Sequence, residues 1–255
     1  MPRSRIAVLN DIHGNLPALD AVLAEVDEAG VDRIVLGGDI AMGPMPRATL
    51  ERLLGLGDRV VALHGNADRE LVSVFDGAVP DPGIPDELRA AVTWAGRSLE
   101  RRHRDYLAGL PPTLTIEMDG VGEVLFCHAS PRNDTEIFTE VSPDERVAPM
   151  FAGVRSDLVV CGHTHMQFER RIGDVRVVNA GSVGMPYAEP AAYWLLLGPG
   201  IELRRTPYDL EAAAALIRAT EFPAAEDFAA NNVLRPPPAA EATAVFEQLA
   251  ARPPG

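Results

Sequence analysis

Cysteine is nearly absent from this 255-residue chain: Cys127 and Cys161 are the only two. Each ends an apolar run just before a histidine, so both read as small buried strand residues rather than as redox chemistry. Positive charge is in deficit as well. A formal net charge of −14 and a pI near 4.8 argue against sequence-independent binding of extended nucleic acid, which needs a basic footprint. A phosphate substrate stays compatible with that charge, because bound dications reverse the sign of the field locally. Long apolar runs are missing too. None approaches the ~18 residues of a membrane span, and Ile6 to Leu9 is far too short for the apolar region of a signal peptide. The expectation is a cytoplasmic enzyme without a membrane partner.

What the chain does have is a series of polar clusters, each placed after an apolar run that reads as a strand. Asn10-Asp11-Ile12-His13-Gly14-Asn15 comes first. Gly37-Gly38-Asp39, Gly65-Asn66-Ala67-Asp68, His128 and Gly162-His163-Thr164-His165 follow. Oxygen donors mixed with imidazoles, without a thiolate cluster, suit a borderline divalent metal such as Mn, Fe or Zn. Seven such groups are too many for one tetrahedral zinc and enough for two metals sharing a carboxylate.

The apolar content supports a full core, and the length fits one large domain or a domain with an appendage. Strands are expected at 5–9, 33–36 and 59–63, with helices at 16–29 and 46–54. This alternation argues for a parallel sheet that gathers polar groups at the carboxyl ends of its strands. Residues 80–85 form a Pro/Gly-rich loop, and 86–107 read as one long helical stretch. Three hairpins follow, around Asp119-Gly120, Gly173-Asp174 and Gly198-Pro199-Gly200, with a further strand at 158–161. Parallel units followed by antiparallel hairpins suggest two sheets packed face to face with helices outside. An alanine-rich helix at 210–219, Pro236-Pro237-Pro238 and an amphipathic stretch at 240–251 make up the tail. Its docking, dimer contact or mobility stays open.

Taken singly, these residues have ordinary readings. His13 or His128 at a strand end is a hydrogen-bonded residue, and Asp39, Asn66 and Asp68 are turn formers. Their order carries the argument. Asp11-Ile12-His13, Gly38-Asp39, Gly65-Asn66, His128 and Gly162-His163-Thr164-His165 together resemble the pattern of a calcineurin-like metallophosphoesterase, in its compact prokaryotic phosphoesterase and phosphodiesterase branch. Asn179 to Gly184 resembles the Asn-x-Gly-Ser-Val-Gly stretch of the same branch. The matches run from about residue 5 to 185.

The resemblance implies an α/β fold, a four-layer α-β-β-α sandwich of two mixed sheets flanked by helices, over residues 1–208. A helical, Pro-rich C-terminal appendage would occupy 209–255. It implies Asp11, His13 and His165 around a first divalent ion, Asn66, His128 and His163 around a second, and Asp39 bridging both. Of the candidates Mn, Fe, Zn and Ni, manganese ranks first. Asp39, Asn66 and His128 would be the catalytic set, with a bridging hydroxide attacking phosphorus in line. An amide oxygen such as that of Asn66 can coordinate while its NH₂ donates to the substrate phosphoryl group. Asp68 stays structural in this reading.

Many family members carry histidine after the motif asparagine, where it can protonate the leaving oxygen; here the position is Ala67. His64 is near in sequence, with catalytic and structural readings both open. Arg132 could reach a phosphate through its guanidinium or be an exposed surface arginine. Asn15 orients His13 or caps the next helix, the loop from Met42 to Arg47 could wall a substrate, and Tyr187 could stack on a base or sit in the rim. The expected activity is hydrolysis of a phosphodiester or nucleotide-like ester, and the partner a small phosphate ester. A homo-oligomer is left open. Alternatives are a phosphomonoesterase, a protein phosphatase, a dinucleoside polyphosphate hydrolase, or a non-catalytic interaction module on this fold, as in a retromer subunit.

Overall fold

A computed structural model describes residues 5–80 and 82–251. The first sheet grows from three β-α units. Strand β1 (Ile6–Leu9) leads into α1 (Leu16–Glu28), and β2 (Arg33–Gly37) leads into α2 (Pro46–Leu54). β3 (Val60–Leu63) then leads into α3 (Asn66–Phe75). β1, β2 and β3 pair in parallel, Ile6 opposite Arg33 and Ile34 opposite Val60. Two helices, α4 (Asp86–Ser98) and α5 (Arg101–Ala108), precede the second sheet.

That sheet is built from β4 (Thr113–Met118), β5 (Gly122–Cys127), β6 (Leu158–Cys161), β7 (Gln167–Ile172) and β8 (Val175–Ala180), with the short α6 (Asp144–Val147) inserted after β5. Its order is β4-β5-β6-β8-β7, and β5, β6 and β8 are parallel. The chain then returns to the first sheet. β9 (Ala192–Leu197) pairs antiparallel with β1 and carries β10 (Ile201–Thr206) on its outer side. The first sheet thus reads β10-β9-β1-β2-β3.

Both sheets are mixed and five-stranded, as the expected sandwich requires. Ile6, Val8, Val35 and Leu63 of the first sheet meet Phe126, Val160 and Val178 of the second in a buried inter-sheet core. The opposite face of the first sheet is covered by α1 and α2 through Leu19, Leu23, Leu50 and Leu53. The outer face of the second is covered by Phe138, Val147 and Phe151 from the α6 segment, over Cys127, Cys161 and Phe168. Both cysteines are buried and free, and burial pushes their thiols up.

Two local expectations need correction. The stretch 86–107 is not one helix: Leu99 turns extended, and Glu100 starts α5 by pairing with His103 in a reciprocal cap. The cap outcompetes one more turn of helix because it satisfies donors at the new N-terminus. Conversely, helix α3 was not expected. Its N-cap is Gly65, which offers no side chain. The signal that existed was Asp68 at the third position, which accepts from Gly65 N–H at 3.0 Å.

The C-terminal stretch docks on the body. Helix α7 (Leu210–Arg218), α8 (Ala225–Phe228) and a π-helical turn, Ala229–Leu234, pack with Ala91 of α4, Met45 and Met185. Helix α9 (Ala239–Ala250) is pinned by Glu247, which accepts from Thr139 and Ser142 and pairs with Arg146 at 2.6 Å. Among the described residues no helix is long and apolar enough to cross a membrane.

Candidate metal centre

Parallel strands end together, so the loops after β1, β2, β3, β5 and β6 converge on one edge of the sandwich. Cross-hydrogen bonds lock them. Asp11 N donates to Gly38 O and His13 N to Asp39 O, while Gly162 N donates to His128 O. The two sheets are joined there by His163 N donating to Asp11 Oδ2 at 2.9 Å.

The result is two triads of ligand-type atoms. Asp11, His13 and His165 form one; Asp39, His128 and His163 form the other. Asp39 Oδ2 faces both, 3.8 Å from His13 Nε2 and 3.4 Å from His128 Nε2. Its other oxygen is already engaged, accepting from Ala67 N at 2.8 Å. Asn66 joins the second triad, its Oδ1 3.2 Å from His128 Nε2. The structure therefore brings all seven expected ligand residues together.

Backbone carbonyls fix the imidazoles. His13 Nδ1 lies 3.1 Å from Met42 O, His165 Nδ1 2.7 Å from Met185 O, and His128 Nδ1 2.9 Å from Gly37 O. With the proton on each Nδ1, the Nε2 lone pairs of these three rings point inward. His13 Nε2 and His165 Nε2 then stand 3.2 Å apart, and His163 Nδ1 stands 3.2 Å from His128 Nε2. Lone pairs at that separation repel unless a proton or a cation lies between them.

A further observation favours a cation. Asp11 Oδ1 is buried with no hydrogen-bond partner, 3.4 Å from His165 Nε2. The Asn66 amide lies against the second triad, 3.2 Å from His128 and His163, and either of its ends can face those rings. The donor set thus fits divalent metal.

The loops carry strain. Asp11, His13, Asp39, His163 and His165 all have positive φ, between 48° and 67°. At about 1–2 kcal/mol each for a residue with Cβ, the sum approaches the stability of a typical domain, ~5–15 kcal/mol. Such loops persist only when their surroundings over-determine them. Asp68 is the main brace, accepting from Asp39 N at 2.8 Å, Ile40 N at 2.9 Å and Gly65 N at 3.0 Å. Asn179 braces the histidine loop, donating to Gly162 O at 2.6 Å and Thr164 Oγ1 at 3.1 Å. Close approach explains Gly65: a Cβ there would lie 2.2 Å from Asp39 Oδ1.

Charge follows the same geometry. Burial opposes ionisation of Asp39, but the surrounding His128, His13 and His163 hold it far below the usual carboxylate range. Burial also works against charging His128, yet Asp39 and Asp11 push its pKa up to about 10. Burial and the neighbouring His128 charge take His163 down to about 4. Asp68 is pushed up to about 7 by burial and by the Asp39 charge. Without metal, the acidic neighbours therefore favour a proton on His128 Nε2, where it lies between that ring and His163. A ligating imidazole must be neutral, so affinity should rise with pH towards about 10, and loading at pH 7 should release at least one proton per chain. Calorimetric titration in two buffers of different ionisation enthalpy measures this; equal heats in both would exclude it.

The remaining predicted residues fall outside the triads. Arg132 is half exposed and spends its guanidinium on Glu136 and Pro149 O. His64 Nδ1 faces Asp134 at 3.4 Å, beside Arg69. Ala67 is buried and offers only its N–H. Asn15 caps α1 through Ala18 N and donates to Gly184 O, so it does not orient His13. Arg47 pairs with Glu100. Tyr187 lies flat on His165, centroids 5.2 Å apart at 14°, and Phe246 of α9 packs against it at 5.7 Å. The carbonyls of Gly37, Met42 and Met185 and the ring of Phe246 had no local sequence signal. A separate cluster, Glu51, Glu100 and His103, is structural: His103 accepts from Glu100 N and meets Glu51 through its other nitrogen.

Comparison with known proteins agrees with this geometry. Residues 5–197 match the calcineurin-like phosphoesterase superfamily domain. An uncharacterised protein of Methanocaldococcus jannaschii, MJ0912, is 30% identical over 251 residues, 88% of this chain and 96% of that one. Phosphodiesterase YfcE of Escherichia coli is 25% identical over 204 residues, covering 75% of this chain and 86% of its own. Among solved structures, protein PH1004 of Pyrococcus horikoshii superimposes with a TM-score of 0.76 at 23% identity, over 93% of this chain and 100% of the other. A metallophosphoesterase from Sphaerobacter thermophilus gives 0.70 at 26% identity, over 89% and 97%. With its family match spanning both sheets and every ligand-bearing loop, the chain belongs to the calcineurin-like phosphoesterase superfamily.

Proposed function

We propose that the chain is a cytoplasmic phosphodiesterase acting on a small or nucleotide-like ester at a centre of two divalent ions, manganese first among the candidates. One observation carries this reading: Asp39 Oδ2 stands between two imidazole-carboxylate triads, with every other polar atom of Asp39 already engaged. Any bridge through Asp39 would use that single oxygen. When bound, two such ions supply positive charge for the phosphoryl oxygens and lower the pKa of a coordinated water.

The chain's own groups then divide the work. Met42, Met185 and Gly37 carbonyls keep the imidazoles in the ligating tautomer. Asn66 stands at the N-terminus of α3 beside the second triad, and the helix end favours negative charge there. No titratable side chain occupies position 67, so the departing oxygen leaves without a proton from that site. The name of the phosphodiesterase relative supports the choice of a diester, at 25% identity.

The test is to strip metal and assay bis-p-nitrophenyl and p-nitrophenyl phosphate side by side, adding Mn²⁺, Fe²⁺, Zn²⁺, Ni²⁺, Co²⁺ and Mg²⁺ back one at a time. Metal-restored turnover with a strong diester preference is expected. A series of aryl methyl phosphates should then show a steep dependence of rate on leaving-group pKa, because Ala67 cannot protonate the leaving oxygen. A flat dependence would sink that part of the proposal. Two bound ions per chain with no hydrolysis of any ester would favour the interaction-module reading.

A further inference from the structure

We propose that the cavity between α4 and the docked C-terminal segment receives an uncharged, ring-bearing arm of the substrate ester. The inference rests on the phosphoesterase reading and specifies the substrate class.

Position comes first. Met42, Gly43 and Met185 form the inner wall of a cavity of about 790 Å³. The Met42 and Met185 carbonyls are the atoms that hold His13 and His165. Two residues of the cavity wall are thus the ones whose carbonyls support the first triad from behind its rings. Its volume lies within the usual range for a small-molecule site, ~300–1,000 Å³.

Its lining then says what fits. Phe222 and Phe228, edge to face with centroids 6.2 Å apart, line it together with Leu88 and Ala91 of α4. No arginine lines the cavity among the described residues, and the chain has no lysine. The charged groups on the wall are Glu87, Glu226 and Asp227, all acidic. Glu226 is paired with Arg218, while Asp227 accepts from Asn231. Such a wall repels a second phosphate or a polyphosphate chain and accepts a neutral apolar group.

A polar edge is provided as well. The turn Ala229–Leu234 is π-helical, with Arg235 N donating to Ala230 O at 2.9 Å. The wider turn puts the consecutive Asn231 and Asn232 on the same wall, Asn232 only 9% exposed. Their amides offer donors and acceptors to the edge of a heteroaromatic ring such as a nucleobase. π-turns of this kind recur at functional sites.

The test uses the full chain loaded with its most active dication. Two diesters release the same p-nitrophenolate but differ in the other arm, methyl or naphthylmethyl, so departure chemistry is held constant. The naphthylmethyl diester should have the higher kcat/KM by about tenfold or more. Phe228→Ala should bring the ratio close to one. Because Phe228 is buried and that variant can misfold, Leu88→Arg is the companion: Leu88 is 41% exposed, so the change spares the core while placing a guanidinium at the mouth. It should cut the ratio about threefold or more. Wild-type turnover of both diesters within twofold would overturn the proposal and leave the phosphoesterase reading intact. If neither diester is hydrolysed with any dication, that reading fails, and naphthylmethanol followed by methionine-methyl NMR still decides the cavity. Shifts at Met42 and Met185 that vanish in Leu88→Arg would support it; no shift in wild type would overturn it.

Discussion

Asp39→Asn should lower diester turnover by about a thousandfold or more while leaving the fold in place. The reason lies in the two oxygens of this carboxylate. Oδ1 accepts from Ala67 N, and an amide oxygen can take over that bond. Oδ2 faces the rings of His13 and His128. An NH₂ in its place has no lone pair for a metal and can donate to His128 instead. The variant should unfold close to the wild-type temperature of the metal-free protein and bind less than its full complement of metal. Turnover near the native value under saturating metal would remove Asp39 from the role of essential bridge.

The same chemical change three positions into the neighbouring helix should do the opposite. Asp68→Asn is expected to destabilise the metal-free chain by about 3 kcal/mol, or near 10 °C of Tm for a domain of this size. Asp68 accepts from three backbone N–H groups, of Asp39, Ile40 and Gly65. An asparagine offers one oxygen, so its NH₂ must face an N–H donor. Oδ2 alone serves Asp39 N and Gly65 N, so either orientation sets donor against donor. The strained loop at Asp39, φ 52°, then loses its brace. Thermal melts with and without metal measure both effects, and a variant melting within about 2 °C of wild type would show that the loop is held by other means. The two aspartates are thus distinguished by what they face, lone pairs or N–H groups.

That distinction separates what could be read from the chain alone from what could not. Strand ends, their polar clusters and the order of those clusters were legible because each lies within a few residues: apolar run, glycine, ligand. The split at Leu99–Glu100 and the helix after Gly65 were missed, since both depend on caps that use His103 and Asp68 in ways residue type does not announce.

The seven candidate ligand residues were named from the sequence; how they combine was decided by tertiary structure. His13 and His165 are 152 residues apart in the chain yet 3.2 Å apart in space. Asp39 turns one oxygen towards rings of both triads because Ala67 N–H has claimed the other. Arg132 turned to Glu136, and Tyr187 to His165, because those partners were nearest once the loops closed. The cavity at α4 exists only because residues after Leu210 fold back over Met42 and Met185. Local composition sets which chemistry a segment can offer. Which groups share a proton, a cation or a wall depends on distances across the fold, and those arise from packing of the whole chain.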